Sequence, residues 1–447
     1  MPSGLNKLQV RKSLKNSVLD ASFYSSMMGL TQNYISPFAL AMKASTTQIG
    51  FLTGIPSLAQ VLTQLVAPWL AEKARSRKNL IVLGSFLHGL MWLPVLLIPY
   101  VFHTHQVMWL IAFVTVLVGF DSLGNAPWNN MMAEIVPGAI RGRYFSVRNR
   151  VGSFVSFVLS FVAGGILQAM TGNIFLGFAI VFAGAMFSRF ASVYFLSQMD
   201  EPAVVVPKSK QPGLFKLSLT LGSTNIGKFI LFNALINVAV MFSSPFFSVY
   251  MLRDLKFNYV TYVIINAAST LATMLFMPLW GKRVDKFGTI QVLKVSSLFV
   301  PLVPVMWLFS TNAYYLCFAQ VLGGFAWGGF SLAFGIFLYY AAPAQNRIRY
   351  IALSNTLMFG GSALGALFGG IIAPHLPVVM GDKLLTVFLI SGVARAVIVI
   401  LFISRIHETR QVPQSSFREV LFGGVGPADM KNPSGKCSGG KNRPDKN

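Results

Sequence analysis

Apolar runs of about 20 residues, long enough to cross roughly 30 Å of hydrocarbon as helix, recur along nearly the whole 447-residue chain. Twelve are read, at 18–40, 47–70, 80–101, 107–133, 146–170, 174–198, 226–250, 259–281, 290–309, 313–341, 349–374 and 384–405. Hydrocarbon offers backbone N–H and C=O groups no partner, so each run is expected to be a helix that closes its own hydrogen bonds. Composition excludes the soluble alternative. With 54% hydrophobic and 11% charged residues, a globular surface could not be covered by polar groups. The reading is an all-α membrane protein of twelve transmembrane helices.

A net charge of +23 would, on a soluble chain, point to nucleic acid. Its placement says otherwise. Of 36 Lys and Arg, 30 fall in the N-terminal tail, in the even-numbered connections with their flanking span ends, and from Arg405 onward. The other side holds four, Lys43, Arg253, Lys256 and Lys383, and Arg189 and Arg395 lie within spans. The positive-inside rule then puts both termini in the cytoplasm with an even number of crossings, and the expected location of this multi-pass protein is the plasma (inner) membrane. No nucleic-acid partner is expected, and the bilayer itself is the large partner. The basic start is read as an uncleaved first helix, and Cys317 and Cys437 imply no disulfide framework.

The chain contains itself. "PGAIRGRYFSVRN" at 137–149 and "PAQNRIRYIALSN" at 343–355 share P-x-x-x-R-x-R-Y-x-x-x-x-N at a spacing of 206. Arg189 and Arg395 keep that spacing, and "SPF" at 36–38 returns at 244–246. Six spans are therefore duplicated. The expected organisation is a cytoplasmic tail 1–17, a six-helix bundle 18–198, a cytoplasmic linker 199–225, a second bundle 226–405, and a polar, Gly/Pro-rich tail 406–447 expected to be disordered.

A third pair of copies lies after spans two and eight: "PWLAEKARSRK" from Pro68 and "GKRVDKFGT" from Gly281. The second resembles motif A of the major facilitator superfamily, G-x-x-x-D-[RK]-x-G-[RK], at Gly281, Asp285, Lys286 and Gly288, with Thr289 departing at the last place. The first copy is degenerate, with Pro68, Glu72 and Arg75 at the glycine, acid and second glycine places and Lys73 beside Glu72. The resemblance implies that family's fold, two bundles around a cavity that opens alternately to either side. It also implies a cytoplasmic gate. Glu72 would sit near Arg347 and Arg349, and Asp285 near Arg141 and Arg143, a carboxylate being favoured at a helix N-terminus and by arginines. The plain alternative is that these arginines anchor helix ends among headgroups.

Ionisable groups inside spans are functional candidates because their desolvation must be offset. Asp20 and Glu134 lie near span ends and read as interfacial. Asp121 precedes Pro137 by 16 residues, roughly 24 Å of helix, and forms a stripe with Asn125 and Asn129 at i, i+4 and i+8. The resemblance places spans one, four, seven and ten around the cavity, where this stripe would hydrogen-bond a substrate or carry a proton. A structural pair of Asp121 with Arg189 is the other open reading. Further cavity candidates are Gln32 and Asn33, Gln60 and Gln64, Asn233 and Asn237, and Trp327.

The family's antiporter signature on span five is matched only at Gly164 and Gly165, with Ser156, Ser160 and Phe161 at the earlier places. His103 and His105 lack further ligands, so no metal is expected. No cofactor is expected either, and neither H-E-x-x-H nor a Walker A loop occurs, which argues against an enzyme. The function expected is secondary active transport of a small organic solute by alternating access, with protons as the candidate coupling ion. A transporter-like receptor or scaffold without turnover is the alternative.

Overall fold

The computed structural model describes residues 6–73, 76–137, 140–202, 221–343, 347–378, 381–408 and 417–422, and helices carry its regular structure. In chain order, α1 is Lys7–Thr31, extended by Ile35–Ala41, and α2 is Thr46–Lys73. Next come α3 at Arg77–Val101, α4 at Gln106–Ile135, α5 at Arg141–Ala169 and α6 at Ile174–Ser197. The second set is α7 at Asn225–Asp254, α8 at Tyr259–Phe287, α9 at Thr289–Met306, α10 at Ala313–Ala341, α11 at Arg347–Ile372 and α12 at Lys383–Ile403. Among the described residues, eleven helices are long and apolar enough to span a membrane. Only α1 of the twelve falls short.

The reason lies in its first turns. α1 starts at Lys7, inside the stretch 1–17 expected as a tail, and a capping box between Asn6 and Gln9 fixes that start. The buried face it brings in is polar: Ser13 and Asn16 bond Asp200 and the Gln198 carbonyl after α6, and Ser17 and Asp20 follow one and two turns on. A hydropathy reading does not register a helix whose packed face is made of hydroxyls and amides.

Packing repeats with the duplication. α1 lies against α5 and α6, α2 against α4, and α3 against α4 and α6; α7 lies against α11 and α12, α8 against α10, and α9 against α10 and α12. These are two six-helix bundles. The bundles meet through α2 with α11 and α5 with α8, pairs that exchange when one half is rotated onto the other. The linker at 203–220 lies outside the described residues.

The meeting is one-sided. Call the face carrying Lys7 and Arg405 the terminal face. At the opposite face a single apolar cluster runs through both halves, including Tyr34, Phe38 and Ile49 with Phe246, Tyr250 and Tyr262. Toward the terminal face the clusters separate, one around Trp280 and Phe337 and another around Ile81, Met132 and Leu196. Arg253 Nη1 donates to Thr46 Oγ1 at 3.1 Å, and Tyr262 Oη to the Asn33 carbonyl at 2.7 Å, across the closed side. Bare glycines make the approach possible there, since a Cβ on Gly50 would stand 2.5 Å from Gly370 Cα.

Each half is tied at the terminal face by a glutamate following its last helix. Glu201 accepts from Ser76 Oγ (2.5 Å) and the Arg77 N–H (2.8 Å) at the start of α3; Glu408 accepts from Thr289 Oγ1 (2.8 Å) and the Ile290 N–H (2.9 Å) at the start of α9. A carboxylate on free N-terminal amides gains both hydrogen bonds and the helix dipole. Glu201→Ala and Glu408→Ala should each lower stability by about 1–2 kcal/mol, read as a lower unfolding temperature in detergent. An unchanged midpoint in both would show the caps to be idle.

The described part of the second tail is packed on its bundle, beginning with buried Ile406. Phe417–Phe422 is a short helix, α13, packed on α9 with Val420 buried, and Arg283 donates to the Leu421 carbonyl at 2.8 Å. The apolar Val420, Leu421 and Phe422 give this segment a face to bury, so at these residues the chain departs from the disorder expected of 406–447. Residues 409–416 and 423–447 lie outside the described residues.

Candidate functional site

Between the halves, on the terminal side of the closure, lies a cavity of about 650 Å3. Four helices supply its walls. α1 gives Tyr24, Ser25, Gln32 and Asn33; α5 gives Arg148, Asn149, Ser153, Ser156 and Ser160; α8 gives Asn266, Ser269 and Thr270; α10 gives Gln320. The spacings of three and four residues put each set on one helix face. Among the described lining residues Arg148 is the one ionic side chain, and the other polar groups are hydroxyls and amides.

This differs from the expected ring of spans one, four, seven and ten. α5 and α8 pack together at the closed face, where Gly164 lies against Val263, and their small polar faces border the opening below it. α4 and α7 contribute none of the described lining residues. The signal was present as Ser153, Ser156 and Ser160 on one face and Asn266, Ser269 and Thr270 on another. In sequence Ser156 and Ser160 stand where a glycine motif would be, and small polar residues of this kind occur wherever helices cross closely.

Gln32 and Asn33 line this cavity. Gln60, Gln64, Asn233, Asn237 and Trp327 do not. Gln60 and Gln64 are half-buried on α2, Asn237 Nδ2 donates to the Asn233 carbonyl at 2.9 Å, and Trp327 packs edge-on against Phe330.

Asp121 and Asn125 face a second cavity of about 170 Å3 inside the first half, lined also by Asp20, Tyr24, Ser85, Trp128, Arg148 and Arg189. Asn129 is exposed and donates to the Asn125 carbonyl at 2.9 Å. Arg189 Nη2 lies 3.1 Å from Asp121 Oδ1 and 3.1 Å from Ser85 Oγ, with its guanidinium 4.8 Å above the Tyr24 ring. Tyr24 Oη donates to Asp121 Oδ2 at 3.1 Å, and His88 Nδ1 stands 3.9 Å from Oδ1.

Asp20, expected at the interface, is instead buried. Its Oδ1 accepts from Ser192 Oγ at 2.7 Å and its Oδ2 from Arg148 Nη2 at 3.4 Å. Arg189 Nη1 donates to the same Ser192 oxygen at 3.3 Å. A continuous polar chain thus runs from Arg148 through Asp20, Ser192 and Arg189 to Asp121, joining the two cavities. Glu134 lies at the terminal face in a two-pronged pair with Arg77 at 2.9 and 2.8 Å.

The motif A loop of the second half turns at Gly288, whose φ of 87° suits glycine. Asp285 and Arg143 are exposed and form no ion pair among the described residues, while Arg141 folds back onto the Ala133 and Val136 carbonyls. Lys286 lies 5.5 Å from the Phe287 ring, and Arg347 stacks over Tyr339 at 4.1 Å beside half-buried Arg349. The side chains of Glu72 and Lys73 lie outside the described residues, and Gly281 has open space where a Cβ would be.

A family model described as the MFS_1 like family matches residues 22–377. Tetracycline resistance protein, class H, of Pasteurella multocida is 24% identical over 153 residues, 34% of this chain and 36% of the relative, so the match spans about a third of that protein. A mutant of the nucleoside transporter NupG superposes with a TM-score of 0.70 at 14% identity, over 88% of this chain and 100% of the other. A bacterial homologue of the iron transporter ferroportin, in an inward-facing state, gives 0.67 at 15%, over 90% and 100%. At such identities the likeness is one of fold.

Proposed function

This chain belongs to the MFS_1 like family, and from that premise we propose that it is a secondary transporter whose 650 Å3 central cavity carries a small polar organic solute by alternating access. The observation that carries the reading is the one-sided closure: the halves share an apolar cluster at one face and separate at the other, with a hydrogen-bonding cavity at the divide. We place the halves at 18–198 and 226–405, the terminal face in the cytoplasm of a plasma-type membrane, and the structure in the inward-facing state. Gln32, Asn33 and the amides and hydroxyls of α5 and α8 would replace the solute's hydration, since a buried polar group needs its hydrogen bonds made.

The test is flux in proteoliposomes of purified protein, loaded with pools of neutral, anionic and cationic metabolites and followed by mass spectrometry. Movement of a solute, abolished by bulky substitution at Ser156 or Thr270, is the expected result. Absence of flux for every pool would favour the receptor or scaffold reading.

The exposed Asp285, Arg141 and Arg143 fit a gate that pairs only when the cavity faces the other way. An ion pair that must break each cycle is modest, about 1 kcal/mol or less. Asp285→Asn should therefore slow transport several-fold while leaving the unfolding temperature of this conformer within experimental error. Wild-type flux in that variant would leave these residues as headgroup anchors.

A further inference from the structure

The duplication separates what the scaffold needs from what one half adds. Arg141, Arg143, Tyr144, Asn149 and Arg189 all recur 206 residues later, as Arg347, Arg349, Tyr350, Asn355 and Arg395. Arg148 does not: its counterpart in the matched stretch is Ser354. Arg148 is also the ionic residue of the central cavity. A cation kept in one copy only, at the wall of the solute cavity, is not required by the fold.

Its geometry is that of a group held ready. The guanidinium lies 4.3 Å over the Trp128 ring, Nε donates to the Ser17 carbonyl at 3.2 Å, and Nη2 reaches Asp20 at 3.4 Å, a long contact for a charge-assisted bond. Among the described residues Nη1 has no hydrogen-bond partner. Asp20 is buried and faces Arg148 and Tyr144 from α5 and Ser192 and Arg189 from α6.

We propose that Arg148 binds the carboxylate of a hydroxylated monoanionic solute, and that its withdrawal from Asp20 couples binding to uptake of one proton. This rests on the central cavity being the solute site. Charge balance is met by one carboxylate and one proton. Arg148 and Arg189 offset Asp20 and Asp121, so one added carboxylate leaves the buried cluster one negative charge in excess, and a single proton restores it. A phosphate monoester would bring about two charges. The neutral wall groups, such as Gln32, Asn149, Ser156 and Thr270, suit a hydroxyl-bearing body. The proton goes to the Asp20 carboxylate that Arg148 leaves, and solute and proton promote each other's binding by the same factor.

The experiment uses purified full-length protein with gluconate, glucuronate and shikimate against glucose, glucosamine and glucose 6-phosphate. At saturation at least one carboxylate should raise the unfolding temperature by about 3 °C, with the other three solutes inert. Arg148→Gln should remove that shift, and Arg148→Lys, which keeps the charge without the fork, should restore part of it. In proteoliposomes holding a pH-sensitive dye, wild type should move protons with the carboxylate. Asp20→Asn should still bind the carboxylate and lose the proton movement. Equal shifts by glucose, a shift that survives Arg148→Gln, or a panel in which no carboxylate shifts the protein would overturn the anion site. Proton movement in Asp20→Asn equal to wild type would overturn the coupling. Flux of glucose but of no carboxylate through the wild type would sink this proposal while leaving the transport reading standing. No flux of any metabolite pool would take down both.

Discussion

Gly370→Leu should abolish transport to background while leaving both bundles folded. Gly370 on α11 and Gly50 on α2 cross where the halves are closed: a Cβ on Gly370 would stand 2.9 Å from Gly50 Cα and 3.0 Å from the Thr47 carbonyl oxygen. The atoms met are backbone, which cannot swing aside as a side-chain tip can. Overpacking of this kind costs about 1–3 kcal/mol, and a leucine adds more bulk than the Cβ alone. The strain is present only in the closed arrangement, so it appears as a shift in population of about tenfold to a hundredfold away from it. Alternating access needs both arrangements, so flux stops. A single cysteine at Gln32, in a chain with Cys317 and Cys437 replaced by serine, should become reactive to an impermeant thiol reagent from the opposite face. Gly165→Leu is the control, because a Cβ there meets nothing within 4 Å. Wild-type flux in Gly370→Leu would mean that this crossing opens by some other route.

What the sequence made legible follows from which signals are periodic and which are spatial. Spans α2 to α12 were readable because lipid forces long apolar helices, and the two bundles because "PGAIRGRYFSVRN" returns at 343. The start of α1 was not, since Ser13, Asn16, Ser17 and Asp20 pack as polar neighbours and lower its hydropathy. The cavity was half legible. Gln32 and Asn33 stand out as amides in an apolar run, whereas Ser153, Ser156 and Ser160 resemble the small residues of any tight helix crossing. Arg148 was visible in the quoted repeat, but the pattern drew attention to the arginines it shares rather than to the one it does not. Only the fold shows that the unshared one sits at the cavity wall.

The same contrast sets the second large effect, at Arg189 and Arg395. Both are buried, at 5% and 2% exposure, at matching places on α6 and α12. Arg189 faces a carboxylate because Asp121 lies opposite; Arg395 faces Ser243 Oγ at 3.0 Å and the Val300 carbonyl at 3.3 Å, because Trp327 occupies the position equivalent to Asp121. Removing one partner of a buried ion pair leaves the other charged and desolvated, which typically costs about 3–5 kcal/mol. The Asp121 side chain is 24% exposed to the small cavity, so the lower end, about 3 kcal/mol, is expected for Arg189→Leu. Arg395→Leu strands no acid and loses hydrogen bonds to neutral acceptors only, so about 1–2 kcal/mol is expected. Adding Asp121→Asn to Arg189→Leu should return much of the loss, a coupling of about 1–3 kcal/mol across the cycle. Unfolding temperatures of the four proteins in detergent, with Arg395→Leu beside them, give the comparison. Equal losses for the two arginines, or simple additivity in the cycle, would mean that the Asp121–Arg189 contact carries no net stabilisation. The polar chain from Arg148 would then end at Arg189 rather than pass through it.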